Sequence, residues 1–416
     1  MSRADSSARM ARESSRGGAA AQWRFAWVMV LALGACSGDD GGLVLPAPED
    51  LEPNDSPPDP FVAFAGASID TPADWWDIRR PELELLFSHY IYGFAPEAPE
   101  TLVEEVELDQ LLEGGTVRYR QLRVVYGPDA PAIHLGLFEP AAATGPVPVI
   151  LSLNPCGNHS LTADSAVPIS QAWSETSCGS GRGSRAERWP IETIVGRGYA
   201  LATFHQSDVD PDDRGDSFED GVHPHFELDV EPELSWGTVA AWSFGLSRAV
   251  DALQQIDGVD SERIAVTGHS RRGKAALLVA ASDDRVAVAM PHQSGTAGTT
   301  LSRSYLGESV ADINLLFPHW FNDVFPRFAG AEDRLPVDQH LLIAMVAPRP
   351  VLVTNGADDD WADPPGSRAA VEAADPVYEL LGSAGMELDG DSQFRFDADL
   401  VWHVRAGDHS LGAEDW

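Results

Sequence analysis

The chain has 416 residues, of which 44% are hydrophobic and 8% aromatic, and these proportions are typical of a globular protein with a buried core. Its 65 acidic residues outnumber its 28 lysines and arginines, which gives a net charge of −37 at pH 7. This charge excludes nucleic acid as a partner, because phosphates would be repelled. A single lysine, Lys274, stands among the basic residues.

The first 36 residues have the pattern of an export signal. Five arginines precede an apolar run over 25–33 that is too short for a stable helix across a bilayer. The run leads into Leu33-Gly-Ala-Cys36, which resembles a bacterial lipobox and predicts cleavage before Cys36 and lipidation of its thiol. The predicted lipoprotein signal peptide is therefore 1–35, and the alternative is an ordinary secretory signal with an incidental cysteine. Both interpretations predict an exported protein, and the first predicts an outer-membrane-anchored lipoprotein that is periplasmic or at the cell surface.

Composition divides the remaining chain into two parts. Residues 36–60 are rich in Asp, Pro and Gly, which predicts a disordered tether. Residues 61–416 are uniformly globular, so one catalytic domain, acting as a monomer, is expected. Cys156 and Cys178 either pair in an oxidising compartment or remain buried thiols, and the sequence leaves both possibilities open.

Short apolar runs along the domain predict strands. An antiparallel β segment is expected within 104–138. Helical spacing over 236–256 and 273–281 alternates with these runs, which predicts a three-layer αβα sandwich with a mainly parallel central sheet. The predicted parallel strands are 147–153, 199–204, 263–267, 286–290, 350–354 and 401–405.

The segment 268–275, Gly-His-Ser-Arg-Arg-Gly-Lys-Ala, joins a predicted strand to a predicted helix and nearly matches two motifs. The phosphate-binding loop places Lys274 in register, but Ala275 replaces the hydroxyl that would hold Mg²⁺. The nucleophile elbow, G-x-S-x-G, is matched at its first glycine and at Ser270, whereas the second glycine comes one position late, at Gly273. An exported protein meets little ATP, which favours the elbow.

An elbow serine requires an acid and a histidine later in the chain. The loop 355–363, after a predicted strand, is rich in aspartate. His409 follows the last predicted strand, whereas His403 lies within that strand and fits a structural role better. The chain order of serine, acid and histidine is therefore that of a serine hydrolase.

Together these residues resemble the bacterial branch of carbohydrate esterase family fifteen, the glucuronoyl esterases. The family pattern Gly-x-Ser-Arg-x-Gly-Lys shares the late glycine, and the similarity covers most of 145–416. Further matching segments are 157–160, 188–190, 197–199, 208–211, 307–309, 317–320, 335–340, 347–350 and 361–364.

The resemblance implies an α/β-hydrolase fold and a serine carboxylester hydrolase. Its substrates would be esters of 4-O-methyl-glucuronic acid, such as those that link glucuronoxylan to lignin alcohols. Ser270 would attack the carbonyl and His409 would transfer the proton, while Asp359, chosen by register with Trp361, orients His409. Asp358 remains the alternative acid.

The resemblance also implies roles around the nucleophile. The backbone N–H and guanidinium of Arg271 would face the oxyanion, and the loop 154–158 is a further candidate donor. Lys274, Glu308 and Trp361 would bind the sugar hydroxyls, since a flexible donor, a carboxylate and an aromatic face suit a pyranose.

Two features depart from the family pattern. Gln293 occupies the position at which some members carry a catalytic glutamate, and an amide cannot ionise. The chain ends at Trp416, where relatives continue into a closing helix, so either that helix is absent or the sequence is truncated. The alternative functions are therefore a related carbohydrate or carboxyl esterase with a different acyl group, and a carbohydrate-binding relative without turnover.

No cofactor and no metal are expected. The partner predicted is a glucuronoxylan or lignin–carbohydrate ester, and a membrane is expected only through the lipid anchor. One acid-rich segment is a candidate metal site by composition, but the spacing of its residues does not match a metal-binding motif. It comprises Asp208, Asp210, Asp212 and Asp213 with His223 and His225.

Overall fold

The computed structural model describes residues 45–97, 100–127, 129–172, 174–179, 181–215, 218–386 and 398–416. The predicted signal peptide over 1–35 and the lipidation site Cys36 lie outside these ranges.

A nine-stranded sheet runs through the described part of the chain, in the order β1-β2-β3-β5-β4-β6-β7-β8-β9. The strands are β1 (Leu102–Leu112), β2 (Val117–Val125), β3 (Ile133–Pro140), β4 (Val147–Asn154), β5 (Ala200–His205), β6 (Val259–His269), β7 (Val288–His292), β8 (Val351–Gly356) and β9 (Leu400–Arg405). The first three strands are antiparallel, β3 also pairs antiparallel with β5, and the other pairs are parallel. The predicted α/β-hydrolase fold with an N-terminal antiparallel extension is thereby confirmed.

Helices cover the sheet. They are α1 (Pro72–Asp74), α2 (Arg80–Phe87), α3 (Ile191–Gly196), α4 (Thr238–Leu253), α5 (Arg271–Ser282), α6 (Val310–Leu316), α7 (Gln339–Ala344) and α8 (Pro364–Leu380). Two π-helical turns, Trp75–Arg79 and Ser88–Tyr92, flank α2. Among the described residues, we find no helix with both the length and the apolar character needed to cross a membrane.

Both faces of the sheet are buried at its centre, as the alternating side chains of β5 show. Ala200, Ala202 and Phe204 belong to the larger apolar cluster, which includes α4 and α5. Leu201 points to the other face and belongs to a smaller cluster around α3. Burial on both faces explains why the parallel strands appear in the sequence as continuous apolar runs.

The prediction of a disordered tether is wrong for residues 45–60, because this segment packs on the domain. Leu51 is buried in the large cluster. The carbonyl of Pro46 accepts from Tyr90 Oη at 2.9 Å, and that of Pro58 lies 2.8 Å from His340 Nε2. Polar composition alone did not reveal that this segment pairs its backbone with buried side chains of the domain.

A buried ion pair anchors this segment. Arg303 donates through Nη1 to Asp338 Oδ2 at 3.0 Å and through Nε to the carbonyl of Asn54 at 3.1 Å. The Arg303 and Asp338 side chains are 2% and 0% exposed. The remaining Asp338 oxygen accepts two backbone N–H groups. The N-terminal segment is therefore fixed through a charge pair that has no access to solvent.

Replacing Asp338 by Ala is expected to lower the free energy of unfolding by about 3–5 kcal/mol, because it leaves the Arg303 guanidinium buried and unpaired. Urea unfolding followed by circular dichroism measures this loss. The matched control is Asp284→Ala, since that carboxylate pairs with Arg80 and is 66% exposed. An exposed pair contributes about 1 kcal/mol or less. Equal losses in the two variants would contradict the anchoring role.

Candidate active site

Ser270 occupies a sharp turn between β6 and α5. Its backbone has φ 60° and ψ −126°, which residues other than glycine rarely adopt. The N–H of Ser270 donates to the carbonyl of His292 on β7 at 2.9 Å, which fixes the turn to the neighbouring strand. The conformation places a serine side chain at the carboxyl edge of the sheet, as a nucleophile elbow requires.

Close packing explains the late second glycine of this turn. A Cβ on Gly268 would lie 2.3 Å from the carbonyl oxygen of Arg272. A Cβ on Gly273 would lie 2.1 Å from Ser294 Oγ and 2.7 Å from the carbonyl oxygen of Gly268. The backbone of this turn approaches itself at residue 273, so the glycine is required there, and Arg272 is accommodated at the usual glycine position.

A histidine and a buried aspartate meet at the same edge. His409 Nδ1 lies 2.7 Å from Asp359 Oδ2, and the Asp359 side chain is fully buried. Because a carboxylate only accepts, Nδ1 carries the proton, which leaves Nε2 as an acceptor. The His409 ring lies 4.6 Å from that of His269, the residue before Ser270.

The alternatives considered for these two roles lie elsewhere. Asp358 is exposed, and its backbone N–H donates to the carbonyl of Gly407. His403 is within β9, opposite Thr354 of β8. The structure therefore brings Asp359, and not Asp358, to His409.

A buried carboxylate holds Arg271. Arg271 Nη1 donates to Asp212 Oδ2 at 2.5 Å, and the guanidinium lies over the ring of Trp320 at 4.5 Å. Asp212 Oδ1 is 2.9 Å from His319 Nε2 and accepts from Trp320 Nε1 at 2.8 Å. Burial alone would raise the pKa of Asp212, but these hydrogen bonds and the Arg271 charge outweigh it and hold the pKa below its usual range. Arg271 is thus fixed in orientation beside Ser270.

Arg272 is bound by the protein, although an arginine at such a position is ordinarily a solvated surface charge. Its Nη1 donates to Gln206 Oε1 at 2.8 Å, and burial lowers its pKa to about 10. It supports the start of the loop after β5.

Lys274 is 3% exposed and lies one helical turn from Ser270. Its Nζ donates to the carbonyls of Ser294 and Thr296, and lies 3.7 Å from Glu308 Oε2. Burial lowers the pKa of Lys274 to about 8, partly offset by the Glu308 charge. Burial also raises the pKa of Glu308, in spite of the Lys274 charge. Two of the three ammonium protons are engaged by the protein, and the third faces a carboxylate at more than hydrogen-bond distance.

Trp361 adjoins this pair. Its side chain is 46% exposed. Its backbone carbonyl accepts from the N–H of Glu308 at 3.0 Å. A buried charge pair next to an exposed aromatic face can hold a hydroxylated ring.

The two cysteines of the domain form a disulfide, which is one of the two states that the sequence left open. Cys156 and Cys178 are bonded, and both are buried. Cys156 lies in the loop 154–158 after β4, which is the candidate for a further oxyanion donor. The Asn158 side chain in that loop donates to the carbonyl of His134, away from Ser270. The loop is therefore fixed by a covalent bond and by side-chain contacts.

In the described part of the chain, no group of three or more His, Cys, Asp and Glu side chains is arranged to hold a metal ion. The acidic segment after β5 has other partners. Asp208 accepts from the N–H of His134, Asp210 accepts from Thr238 Oγ1, and Asp212 holds Arg271.

The sequence does not predict the role of Asp212, which it presents only as a candidate metal ligand. Gln293 is recognised from the sequence only as a departure from the family pattern. Asp212 lies 59 residues before its partner Arg271, so no local spacing connects them.

The strained serine turn, the later aspartate and the histidine in contact with it define a serine hydrolase of the α/β-hydrolase class. Comparison with known proteins identifies the family. A family model described as glucuronyl esterase of fungi matches residues 184–382. Carbohydrate esterase MZ0003 from an unknown prokaryotic organism is 37% identical over 377 residues, which cover 86% of this chain and 87% of that protein.

Two solved structures support the same assignment. A promiscuous CE15 esterase from a marine bacterial metagenome has a TM-score of 0.81 and 35% identity, covering 89% of this chain and 96% of the other. A glucuronoyl esterase from Solibacter usitatus has a TM-score of 0.79 and 32% identity, covering 88% and 97%. The chain belongs to carbohydrate esterase family fifteen, the glucuronoyl esterases, as the sequence resemblance predicted.

Replacing Asp359 by Ala is expected to lower kcat/KM for ester hydrolysis by about 1,000- to 10,000-fold, because His409 loses the carboxylate that fixes its tautomer and stabilises its charged form. Steady-state kinetics on a purified variant measure the loss. Asp358→Ala is the matched control, since it removes an exposed carboxylate one residue away, and it should retain activity within about twofold. If Asp358→Ala loses more than Asp359→Ala, the acid is wrongly assigned.

Proposed function

We propose that this esterase hydrolyses esters of glucuronic acid and its 4-O-methyl ether through an acyl-enzyme on Ser270. The observation that carries the proposal is the placement of Ser270 in a strained turn with two partners at the same sheet edge. One partner is the His409–Asp359 pair, which suits acyl transfer. The other is the buried Lys274–Glu308 pair, which suits a sugar.

Acylation begins when Ser270 Oγ bonds to the ester carbonyl carbon while its proton passes to His409 Nε2. The tetrahedral oxyanion is stabilised by the backbone N–H of Arg271 and by its guanidinium, which Asp212 orients. The C–O bond to the alcohol then breaks, and the alcohol takes the proton from His409.

Deacylation reverses the proton transfers. A water molecule gives a proton to His409 Nε2 as its oxygen bonds to the acyl carbon. The bond to Ser270 Oγ breaks and the proton returns to Oγ. The glucuronic acid product releases its carboxyl proton to solvent and leaves as a carboxylate. Asp359 stabilises the charged imidazole in both half-reactions.

Sugar recognition rests on Lys274, Glu308 and Trp361. The 3.7 Å separation of Lys274 Nζ and Glu308 Oε2 leaves a position from which one hydroxyl can accept from the ammonium and donate to the carboxylate. The exposed face of Trp361 is available for the apolar face of the ring.

The natural substrate we propose is the ester between glucuronoxylan and a lignin alcohol. An ester is neutral, whereas the glucuronate product is an anion. The net charge of −37 then favours departure of the product, while the local Arg271 and Lys274 charges hold the substrate.

A second candidate function is hydrolysis of carboxylic esters with a different acyl group. The specific observation in its favour is the similarity to an esterase described as promiscuous. A binding protein without turnover is less well supported, because His409 has an ionisable partner in Asp359 even though residue 293 is glutamine.

We also propose export, with lipidation of Cys36, on the basis of residues 1–36. The Cys156–Cys178 disulfide supports an oxidising compartment as the place where the protein works.

Replacing Ser270 by Ala is expected to abolish hydrolysis of benzyl glucuronate, because the attacking oxygen is lost. Initial rates for wild type and variant on benzyl glucuronate and acetylated xylan measure both the activity and the acyl preference. Wild type should prefer the glucuronate, and faster release of acetate would favour the second function. If wild type and Ser270→Ala have the same rate on every ester, the catalytic proposal is wrong.

Lys274 should make substrate binding depend on pH. Its pKa of about 8 means that the ammonium is present below pH 8 and lost above it. Raising the pH from 7 to 9 leaves about a tenth of the ammonium, so KM for benzyl glucuronate should rise by up to about tenfold. Steady-state kinetics across this range measure the change.

Two comparisons test the origin of that change. Lys274→Arg keeps its charge at pH 9, so its KM should not change over this range, although a planar guanidinium fits the site poorly and lowers turnover of the glucuronate ester. Turnover of a small acetate ester should fall less. Equal losses on both esters, or a constant KM in wild type, would contradict sugar binding by Lys274.

A further inference from the structure

We propose that Gln293 is a positioning residue for this reaction, and that its carboxamide attaches the loop carrying His409 to the turn carrying Ser270. The inference rests on the proposed function, because it assigns the proton transfers to His409. Gln293 directly follows β7 and is 1% exposed.

The Gln293 side chain contacts the residues on both sides of His409. Its Nε2 donates to the carbonyl of Asp408 at 2.7 Å, and its Oε1 accepts from the N–H of Ser410 at 3.1 Å. The same Oε1 lies 3.1 Å from Nε2 of His269, the residue before Ser270. One amide therefore joins the histidine loop to the nucleophile turn.

Hydrogen-bond chemistry fixes the orientation of this amide. The carbonyl of Asp408 can only accept, so the NH₂ group of Gln293 must face it. Oε1 then faces the N–H of Ser410 and Nε2 of His269, and the imidazole must donate from Nε2. Burial lowers the pKa of His269 well below its usual range, which keeps that ring neutral. All three contacts are satisfied by one arrangement of protons.

The backbone at Gln293 is strained for this purpose. Its φ is 48°, in the left-handed region, which residues with a Cβ rarely adopt. The N–H of Gln293 donates to the carbonyl of Thr354 on β8 at 2.8 Å. The strand end turns back at this residue, and the turn directs the side chain toward the histidine loop.

Gly356 provides the space for the contact. A Cβ at this residue would lie 2.6 Å from Gln293 Nε2, 2.6 Å from the carbonyl oxygen of Asp408 and 2.6 Å from that of Gly407. The end of β8 thus carries no side chain where the amide meets the loop. This close approach is independent of the hydrogen bonds and indicates the same junction.

Two other side chains contact the loop that carries His409, and both bind the carbonyl oxygen of Ser410. The carbonyl of Ser410 lies 3.1 Å from His292 Nε2 and accepts from Arg405 Nη2 at 2.6 Å. Gln293 is thus placed to set the position of the backbone before and after His409. Asp359, by contrast, contacts the ring.

A glutamate at 293 would not perform the same task. An ionised carboxylate has no proton to donate, so it would place negative charge against the carbonyl oxygen of Asp408. The amide is therefore the group that matches this junction.

The test begins with Gln293→Met, which keeps the length of the side chain and removes its three hydrogen bonds. We expect kcat on benzyl glucuronate to fall by about 10- to 100-fold, with KM changed less than about twofold, because displacement of His409 affects proton transfer and not sugar binding. Gln121→Met is the matched control. That amide is also buried and accepts from Tyr119 Oη, but it lies on β2. Its kcat should stay within about twofold of wild type.

A second background separates positioning from general destabilisation. In a His409→Ala enzyme, adding Gln293→Met should change the residual rate by less than about twofold, because there is no histidine left to position. A loss as large as in wild type would overturn the inference.

If the Gln293→Met variant does not fold, Gln293→Glu is used in its place. It should also lose kcat, and in an Asp359→Ala background it should not restore activity. Recovery of more than about tenfold would show that residue 293 reaches the His409 ring, which would overturn the positioning role.

If wild type shows no activity that depends on Ser270, the proposed function fails. If wild type is active but Gln293→Met matches Gln121→Met, only the present inference fails.

Discussion

The backbone of Ser270 is the constraint on which the active site depends. A φ of 60° with ψ −126° is unfavourable for serine, and it persists because β6, α5 and β7 fix the residues on both sides. Gly268 and Gly273 remove the two Cβ atoms that would prevent the turn from closing. The hydroxyl is thereby presented at the sheet edge before any substrate binds, so the cost of orienting it is met during folding.

The rest of the site follows from strands that end at the same edge. His269 and His292 are paired at the ends of β6 and β7, and Gly356 and Arg405 at the ends of β8 and β9. The loops that leave these ends carry Asp359 and His409 toward the serine turn. Three positive charges, on Arg271, Arg272 and Lys274, gather at the start of one helix in an otherwise acidic protein. Each has a fixed partner, so the three side chains are held in place by the protein itself.

Much of this arrangement could be predicted from sequence because it is local. The strand–turn–helix pattern around Ser270 and the apolar runs of the parallel strands are short-range signals, and they gave the fold. The roles of Asp212 and Gln293 are not local. Each depends on a contact between distant segments, and each residue type has many ordinary surface uses. The prediction of disorder for residues 45–60 was wrong for the same reason. The segment is polar and rich in proline, and its composition does not reveal that the buried Arg303 and His340 bind its carbonyls.

The proposed mechanism requires Ser270 to be the nucleophile of an acyl transfer reaction. A fluorophosphonate tests it directly, because an activated serine oxygen forms a bond to phosphorus as fluoride leaves. Intact-mass spectrometry with peptide mapping should find one phosphonyl group per chain, on Ser270, with esterase activity lost in proportion to labelling. Labelling at another residue together with loss of activity, or full activity in a chain labelled at Ser270, would show that Ser270 is not the nucleophile.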